Sequence, residues 1–302
     1  MRLSKRIKRS LVWSLAQSFD WVLNRIPRSA AISIGGWIGV TAWRFLAGDR
    51  QKIDRNLTKA FGDSLSTDEK TAIGKRFFIN TGKNLADVVR FRRHYQSEIK
   101  PLVDIDGLEH FDSAYKAGKG LIGVTGHLGN FELLAAHISS LGYQIAVIGR
   151  EMSDRRLDNW LTENRRSAGL TNFATTESAK TILSWLKSGR ALGVLIDTDS
   201  MRVRGKAIPF FGKPANTPVG PFHLGIRAGS AFLPMCCVRQ PNNRYLIKID
   251  PPIKLLLELP YEDSITAAMI QCNNALEQFV RTWPDQWIWL HNRWNTRPED
   301  VA

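Results

Sequence analysis

The chain has 302 residues, 43% of them hydrophobic and 23% charged, which is enough to bury a full core and unlike the composition of a disordered or fibrous protein. A net charge of +14 calls for anionic partners, either nucleic acid or the headgroups of an acidic membrane leaflet. The three cysteines, Cys236, Cys237 and Cys272, are odd in number and lack a Cys-x-x-Cys spacing, which excludes a disulfide framework and a paired-cysteine metal site and predicts buried, reduced thiols.

Residues 1–60 hold twelve Lys/Arg against three Asp/Glu, together with Trp13, Trp21, Trp37 and Trp43. Tryptophan favours the membrane–water interface, where its ring is buried and its N–H stays wet, so this mixture points to a membrane surface rather than to DNA. Leu3, Ile7, Leu11, Leu15, Phe19, Val22 and Ile26 recur at steps of four or three, one stripe of an α-helix. The uncharged stretch Ser29–Trp43 is short of the roughly twenty apolar residues that a bilayer span requires. The expectation is an interfacial anchor over 1–60, continuous with an α/β domain over 61–302; a core helix pair or a single span are the alternatives.

Residues 51–92 are predicted helical, with Ser66 and Glu69 as a capping box. From about residue 100 the texture alternates. Predicted strands are Leu121–Thr125, Ile145–Ile148, Ala191–Ile196, Phe232–Val238 and Tyr245–Ile249. Predicted helices are Phe131–Leu141, Asp154–Ser167, Glu177–Ser188 and 260–283. Such alternation predicts an α/β fold with a mixed, mostly parallel sheet flanked by helices.

The segment Gly123-Val124-Thr125-Gly126-His127-Leu128-Gly129-Asn130-Phe131-Glu132 joins the strongest strand to a strong helix. His127 falls at the strand's carboxyl end, where open α/β sheets place ligands. Asn130 is the expected N-cap, and Glu132 lies in the first helical turn, where the dipole favours a carboxylate. This predicts His127 as a general base with Glu132 holding its other ring nitrogen, the base–orienter half of a triad in which the substrate supplies the nucleophile. On spacing alone a structural histidine remains the alternative.

These residues resemble the His-x4-Asp/Glu motif of the glycerolipid acyltransferases, and in particular the branch of bacterial lipid A late acyltransferases. The resemblance continues in Lys52-Ile53-Asp54-Arg55-Asn56-Leu57, Ile148-Gly149-Arg150, Asn164-Arg165-Arg166, Asp197-Thr198-Asp199, Ile208-Pro209-Phe210-Phe211-Gly212 and Trp289-Leu290-His291-Asn292-Arg293-Trp294. It implies a GPAT-like α/β acyltransferase fold, a His–carboxylate pair, and an acyl donor on acyl carrier protein or coenzyme A. It implies no metal and no resident cofactor. The implied acceptor is a hydroxyl of a membrane lipid, foremost a lipid A precursor, at the cytoplasmic face of the bacterial inner membrane; a lysophospholipid or another glycolipid is the alternative acceptor.

Within that reading Arg165 is expected to assist catalysis, and Arg150, Asp197, Asp199, Arg202, Arg204 and Asn130 to bind substrate. The two aspartates could equally close a turn, and the basic loop Arg202–Lys206 could be solvated surface. His291 and Arg293 are expected in core packing or at the membrane edge ahead of catalysis. The rival classes are a hydrolase, weakened by the lack of a Gly-x-Ser-x-Gly elbow, and a non-enzymatic basic protein that binds membranes or nucleic acid; the acyltransferase reading expects no nucleic-acid partner.

Overall fold

The computed structural model describes residues 3–149, 152–200 and 203–296. Four helices come first: α1 (Leu3–Leu23), α2 (Arg28–Phe45), α3 (Ala47–Phe61) and α4 (Thr67–His94). The box that starts α4 forms as the sequence predicts: the Ser66 side chain accepts from the Glu69 N–H, and the Ser66 N–H donates to Glu69 at 2.7 Å. Gly35 and Gly82 have no side chain to separate α2 from α4; a Cβ on Gly35 would lie 2.3 Å from the Gly82 carbonyl. The uncharged stretch is thus a helix laid flat against α4. Among the described residues no single helix is long and apolar enough to cross a bilayer, although α2 with the helical run after it passes by length and composition, bent by 90°.

The predicted stripe on the first helix divides. Leu11 and Leu15 are 60% and 61% exposed, whereas Leu23 is fully buried against α2 and α4. Trp21, Trp37 and Phe45 are exposed by 57%, 73% and 74%.

The remaining strands are β1 (Val103–Asp106), β2 (Leu121–Thr125), β3 (Ile145–Gly149), β4 (Thr171–Ala174), β5 (Ala191–Leu195), β8 (Ala231–Arg239) and β9 (Tyr245–Ile249). They form one seven-stranded sheet in the order β1-β9-β8-β2-β5-β3-β4. From β8 to β4 the strands are parallel; β9 pairs antiparallel to β8 and carries β1 with it. A two-stranded hairpin, β6 (Gly205–Phe210) with β7 (Lys213–Pro218), stands apart. Four strands were not anticipated: β1 and β4 are short, half-exposed edges, and the hairpin strands carry Pro209, Pro214 and Pro218, which argue against strand in sequence.

Helices cover both faces: α5 (Leu108–Lys116), α6 (Phe131–Ser139), α7 (Arg155–Ser167), α8 (Ala179–Lys187), α9 (Gly220–Ala228) and α10 (Tyr261–Thr282). Neighbouring residues of β2 enter opposite cores. Leu121 joins α5 and α6, and Ile122 joins α8, α9 and α10. Ile53 and Leu57 of α3 pack in the second of these cores, so the N-terminal helices share apolar contacts with the sheet. All three cysteines are free and buried.

Candidate active site

His127 follows β2 by two residues, and Asp197 follows β5 by two. The strands are neighbours with Thr125 opposite Leu195, so the register alone brings the two side chains together. His127 Nδ1 lies 2.8 Å from Asp197 Oδ1, and the His127 backbone N–H donates to Oδ2 at 2.7 Å. The Trp287 indole N–H donates to the same Oδ2 at 2.8 Å. Burial alone would push the Asp197 carboxyl up, but the charge and hydrogen bonds of His127, with help from His291, hold it well below the usual carboxylate range. An ionised carboxylate can only accept, so the ring proton sits on Nδ1 and Nε2 keeps its lone pair.

Burial opposes protonation of His127, yet the charge and hydrogen bond of Asp197, with a further contribution from Glu132, raise its pKa above 6.5. The ring is largely enclosed but not sealed, with 19% of its side chain exposed. The geometry is that of an imidazole fixed in one tautomer and orientation with one nitrogen free for chemistry.

The loop carrying His127 is held by backbone contacts. Gly129 has φ +62, and a Cβ there would lie 2.0 Å from the Cys237 carbonyl, so only glycine fits. A Cβ on Gly126 would press on Asp197 Oδ2 at 2.8 Å. The Gly129 N–H donates to the Gln286 carbonyl at 2.9 Å, and the Ile288 N–H donates to the His127 carbonyl at 3.1 Å. The C-terminal segment thereby clasps the loop.

Glu132 does not hold the imidazole, and this corrects the expectation from sequence. It points from the first turn of α6 toward α7, where Arg165 meets it in a two-pronged pair: Nη2 to Oε1 at 2.6 Å and Nε to Oε2 at 3.0 Å. Arg165 Nη1 also donates to Asn172 of β4 at 2.7 Å. The spacing of five residues pointed to the right carboxylate for the helix but to the wrong partner for the ring, because Asp197 arrives from a strand that is distant in sequence.

Glu132 and Arg165 are among the residues that line an apolar cavity of about 70 Å³ between the sheet and α6. Gly123, Thr125, Val147, Gly193 and Leu195 line its sheet side, Leu134, Ala135 and Ile138 its helix side, and Phe111 of α5 completes the wall. Along β2 it extends from Thr125 to Leu121, roughly 13 Å at about 3.3 Å per residue. Phe131 lines the cavity, and its ring centre lies 5.1 Å from that of His127.

The other expected residues divide. Asn130 caps α6, accepting from the Leu133 N–H at 3.1 Å and donating to the Tyr245 hydroxyl at 3.2 Å; it is 2% exposed, so burial closes it off from a substrate. Asp199 is likewise spent. It accepts from the backbone N–H groups of Asn295 and Thr296 at 3.0 and 2.8 Å and from Asn216, fastening the C-terminal segment to the hairpin. Asn130 is closed off by burial, and the Asp199 oxygens already accept from the chain, so for both the structure shows a structural role in place of the expected substrate contact. Arg204 is exposed beside the hairpin. Arg150 and Arg202 lie outside the described residues. Arg293 is buried and bonds the Asn216 carbonyl and Thr217, as expected for core packing.

The His291 ring packs against the proposed site: its centre lies 4.6 Å from that of His127. In sequence His291 was marked by its place among the tryptophans and by the Trp289–Trp294 segment that carries part of the family resemblance.

An α/β sheet that sets a carboxylate-held imidazole near an apolar cavity, with no serine or cysteine bonded to that ring among the described residues, fits a class: an enzyme that works on a lipid-like substrate. The comparisons agree. The model of the bacterial lipid A biosynthesis acyltransferases matches residues 2–296, so the chain belongs to that family and is an O-acyltransferase. It is similar to the lipid A biosynthesis lauroyltransferase of Escherichia coli (25% identical, covering 93% of this chain and 90% of that protein). It is similar also to the palmitoleoyltransferase of the same organism (23%, 92% and 89%). A phosphatidylinositol mannoside acyltransferase of Mycolicibacterium smegmatis is 21% identical over 97% of this chain and 95% of its own length.

Proposed function

We propose that the enzyme transfers a fatty acyl group from a thioester, on acyl carrier protein or coenzyme A, to a hydroxyl of a lipid A precursor, with His127 as general base. One observation carries this reading: the bond from His127 Nδ1 to the buried Asp197 beside the apolar cavity. Nε2 removes the acceptor hydroxyl proton, the oxygen attacks the thioester carbonyl, and the tetrahedral intermediate collapses with loss of the thiolate. The thiolate takes the proton from the imidazolium, leaving ester and thiol. Proton transfer of this kind contributes roughly 10²–10⁴-fold.

In this reading Asp197 takes the orienting role, and Glu132 with Arg165 forms the charged part of the cavity wall. The cavity suits an acyl chain because its walls are almost wholly apolar, and hydrocarbon gains about 0.8 kcal/mol per methylene on leaving water. The exposed apolar faces of α1 and α2, with the basic residues around them, support attachment at the cytoplasmic face of the inner membrane. A mannosylated lipid is a second acceptor to test, on the strength of the similarity to the mycobacterial enzyme. Lipid mass spectrometry of cells lacking the gene, complemented with wild type or His127→Ala, tests the proposal. A lipid A species should lose one acyl mass and regain it only with wild type. Restoration by His127→Ala would overturn the role of the base, and loss from a different lipid would overturn the acceptor.

A further inference from the structure

We infer that His291 is a second catalytic imidazole, which stays neutral and donates a hydrogen bond from Nε2 to the developing thioester oxyanion. The inference rests on the proposed role of His127. The two rings stand nearly edge to face, at 74°, with centres 4.6 Å apart. When a hydroxyl activated at the His127 ring attacks the thioester carbon, the carbonyl oxygen that takes up the charge lies beside the neighbouring His291 ring. The His291 ring is set by its backbone. Its N–H donates to the Ile288 carbonyl at 3.2 Å, and the buried Asn56 side chain donates to the carbonyls of Trp289 and His291 at 2.7 and 2.9 Å.

The tautomer follows from burial. His291 Nδ1 is enclosed and has no hydrogen-bond partner among the described residues. A buried N–H without an acceptor is rarer and costlier than a buried lone pair without a donor, which puts the proton on Nε2. Nε2 is not among the enclosed unpartnered atoms and has no protein partner among the described residues, so it is available to a substrate. His291 also resists becoming charged. Burial lowers its pKa, as do His127, Lys52 and Arg293, outweighing the opposing effect of Asp197. When His127 takes the proton of the attacking hydroxyl, its neighbour remains a neutral donor rather than a competing base.

As the new C–O bond forms, the carbonyl π pair moves to the oxygen and is met by the His291 N–H. When the pair returns, the C–S bond breaks and His127 returns the proton to sulfur. His291 neither gains nor loses a proton over the cycle. Its contribution is a preorganised dipole where negative charge develops.

The test is steady-state kinetics of thiol release by the full-length enzyme with four variants, each checked by thermal melting. His291→Ala and His291→Phe should both lower kcat by roughly 10²-fold with KM little changed, as expected for losing one oxyanion donor. His291→Gln, which restores an N–H, should recover at least tenfold over His291→Phe. The phenylalanine keeps the ring that packs on His127, so a His291→Phe enzyme within threefold of wild type would show that the ring only packs and would overturn the inference. So would a glutamine variant no better than phenylalanine at equal melting temperature. His127→Ala serves as the control: an active His127→Ala defeats the base itself, whereas an inactive His127→Ala with an active His291→Phe defeats only the donor.

Discussion

Replacing Asp197 by asparagine changes one atom of the side chain and reverses the logic of the ring beside it. Asp197 Oδ2 accepts two N–H groups, from the His127 backbone at 2.7 Å and from Trp287 at 2.8 Å, while Oδ1 accepts one, from His127 Nδ1 at 2.8 Å. In Asp197→Asn the single carbonyl oxygen is best placed where the two donors converge. That turns the amide NH₂ toward Nδ1, so Nδ1 must accept and Nε2 must carry the proton. The free nitrogen then has no lone pair with which to take a proton from the acceptor. The same tautomer reversal in a serine-protease triad lowers kcat by about 10⁴. A loss of that size here corresponds to about 5.5 kcal/mol of transition-state stabilisation. Thiol release from the acyl thioester, measured with and without acceptor lipid, checks the size. The melting temperature shows whether the fold survives. A folded Asp197→Asn enzyme that keeps more than a tenth of wild-type kcat would refute the assignment of Asp197 as the residue that orients His127.

Other consequences are equally direct. Because the pKa of His127 is raised, kcat/KM should climb through an acid limb centred above 6.5, as the neutral base becomes populated. Protonated His127 stabilises the fold fully below its unfolded value, and that contribution is lost as pH rises through the raised folded one; pH-dependent melting of wild type against His127→Gln reads the difference. Gly193 lines the cavity, and a Cβ there meets Val147 Cγ1 at 3.4 Å, an ordinary contact. Gly193→Val should therefore fold and shift preference toward shorter acyl thioesters, by about 10-fold or more per methylene excluded, in a competition between chain lengths; an unchanged chain-length profile would place the acyl chain elsewhere. Replacing Trp37 and Phe45, exposed by 73% and 74%, with serine should weaken binding to anionic liposomes by several-fold and leave the melting temperature near wild type. Unchanged co-sedimentation would remove α2 from the membrane contact.

Much of the local structure could be read from the order of the residues. The box of Ser66 and Glu69, the cap at Asn130, the five expected strands and the four expected helices after residue 120 all fall within a few residues of their predicted bounds, because each depends on neighbours within one turn or one strand. His127 stood out for the same reason: a strand, two glycines and a helix start surround it in ten consecutive positions.

Only the tertiary structure decided which groups meet. Asp197 reaches His127 across 70 residues because β2 and β5 are neighbours in register, and no periodicity along the chain encodes which strands lie side by side. The likeness of Asp197 and Asp199 in sequence hides opposite fates, one against the His127 ring and one in the clasp of the C-terminal segment. His291 returns to His127 from 164 positions away along a segment held by backbone hydrogen bonds, whose donors and acceptors every residue shares and no side-chain pattern announces. Hydrophobic spacing and caps act over a few residues; the site was assembled by strand order, which acts over the whole fold.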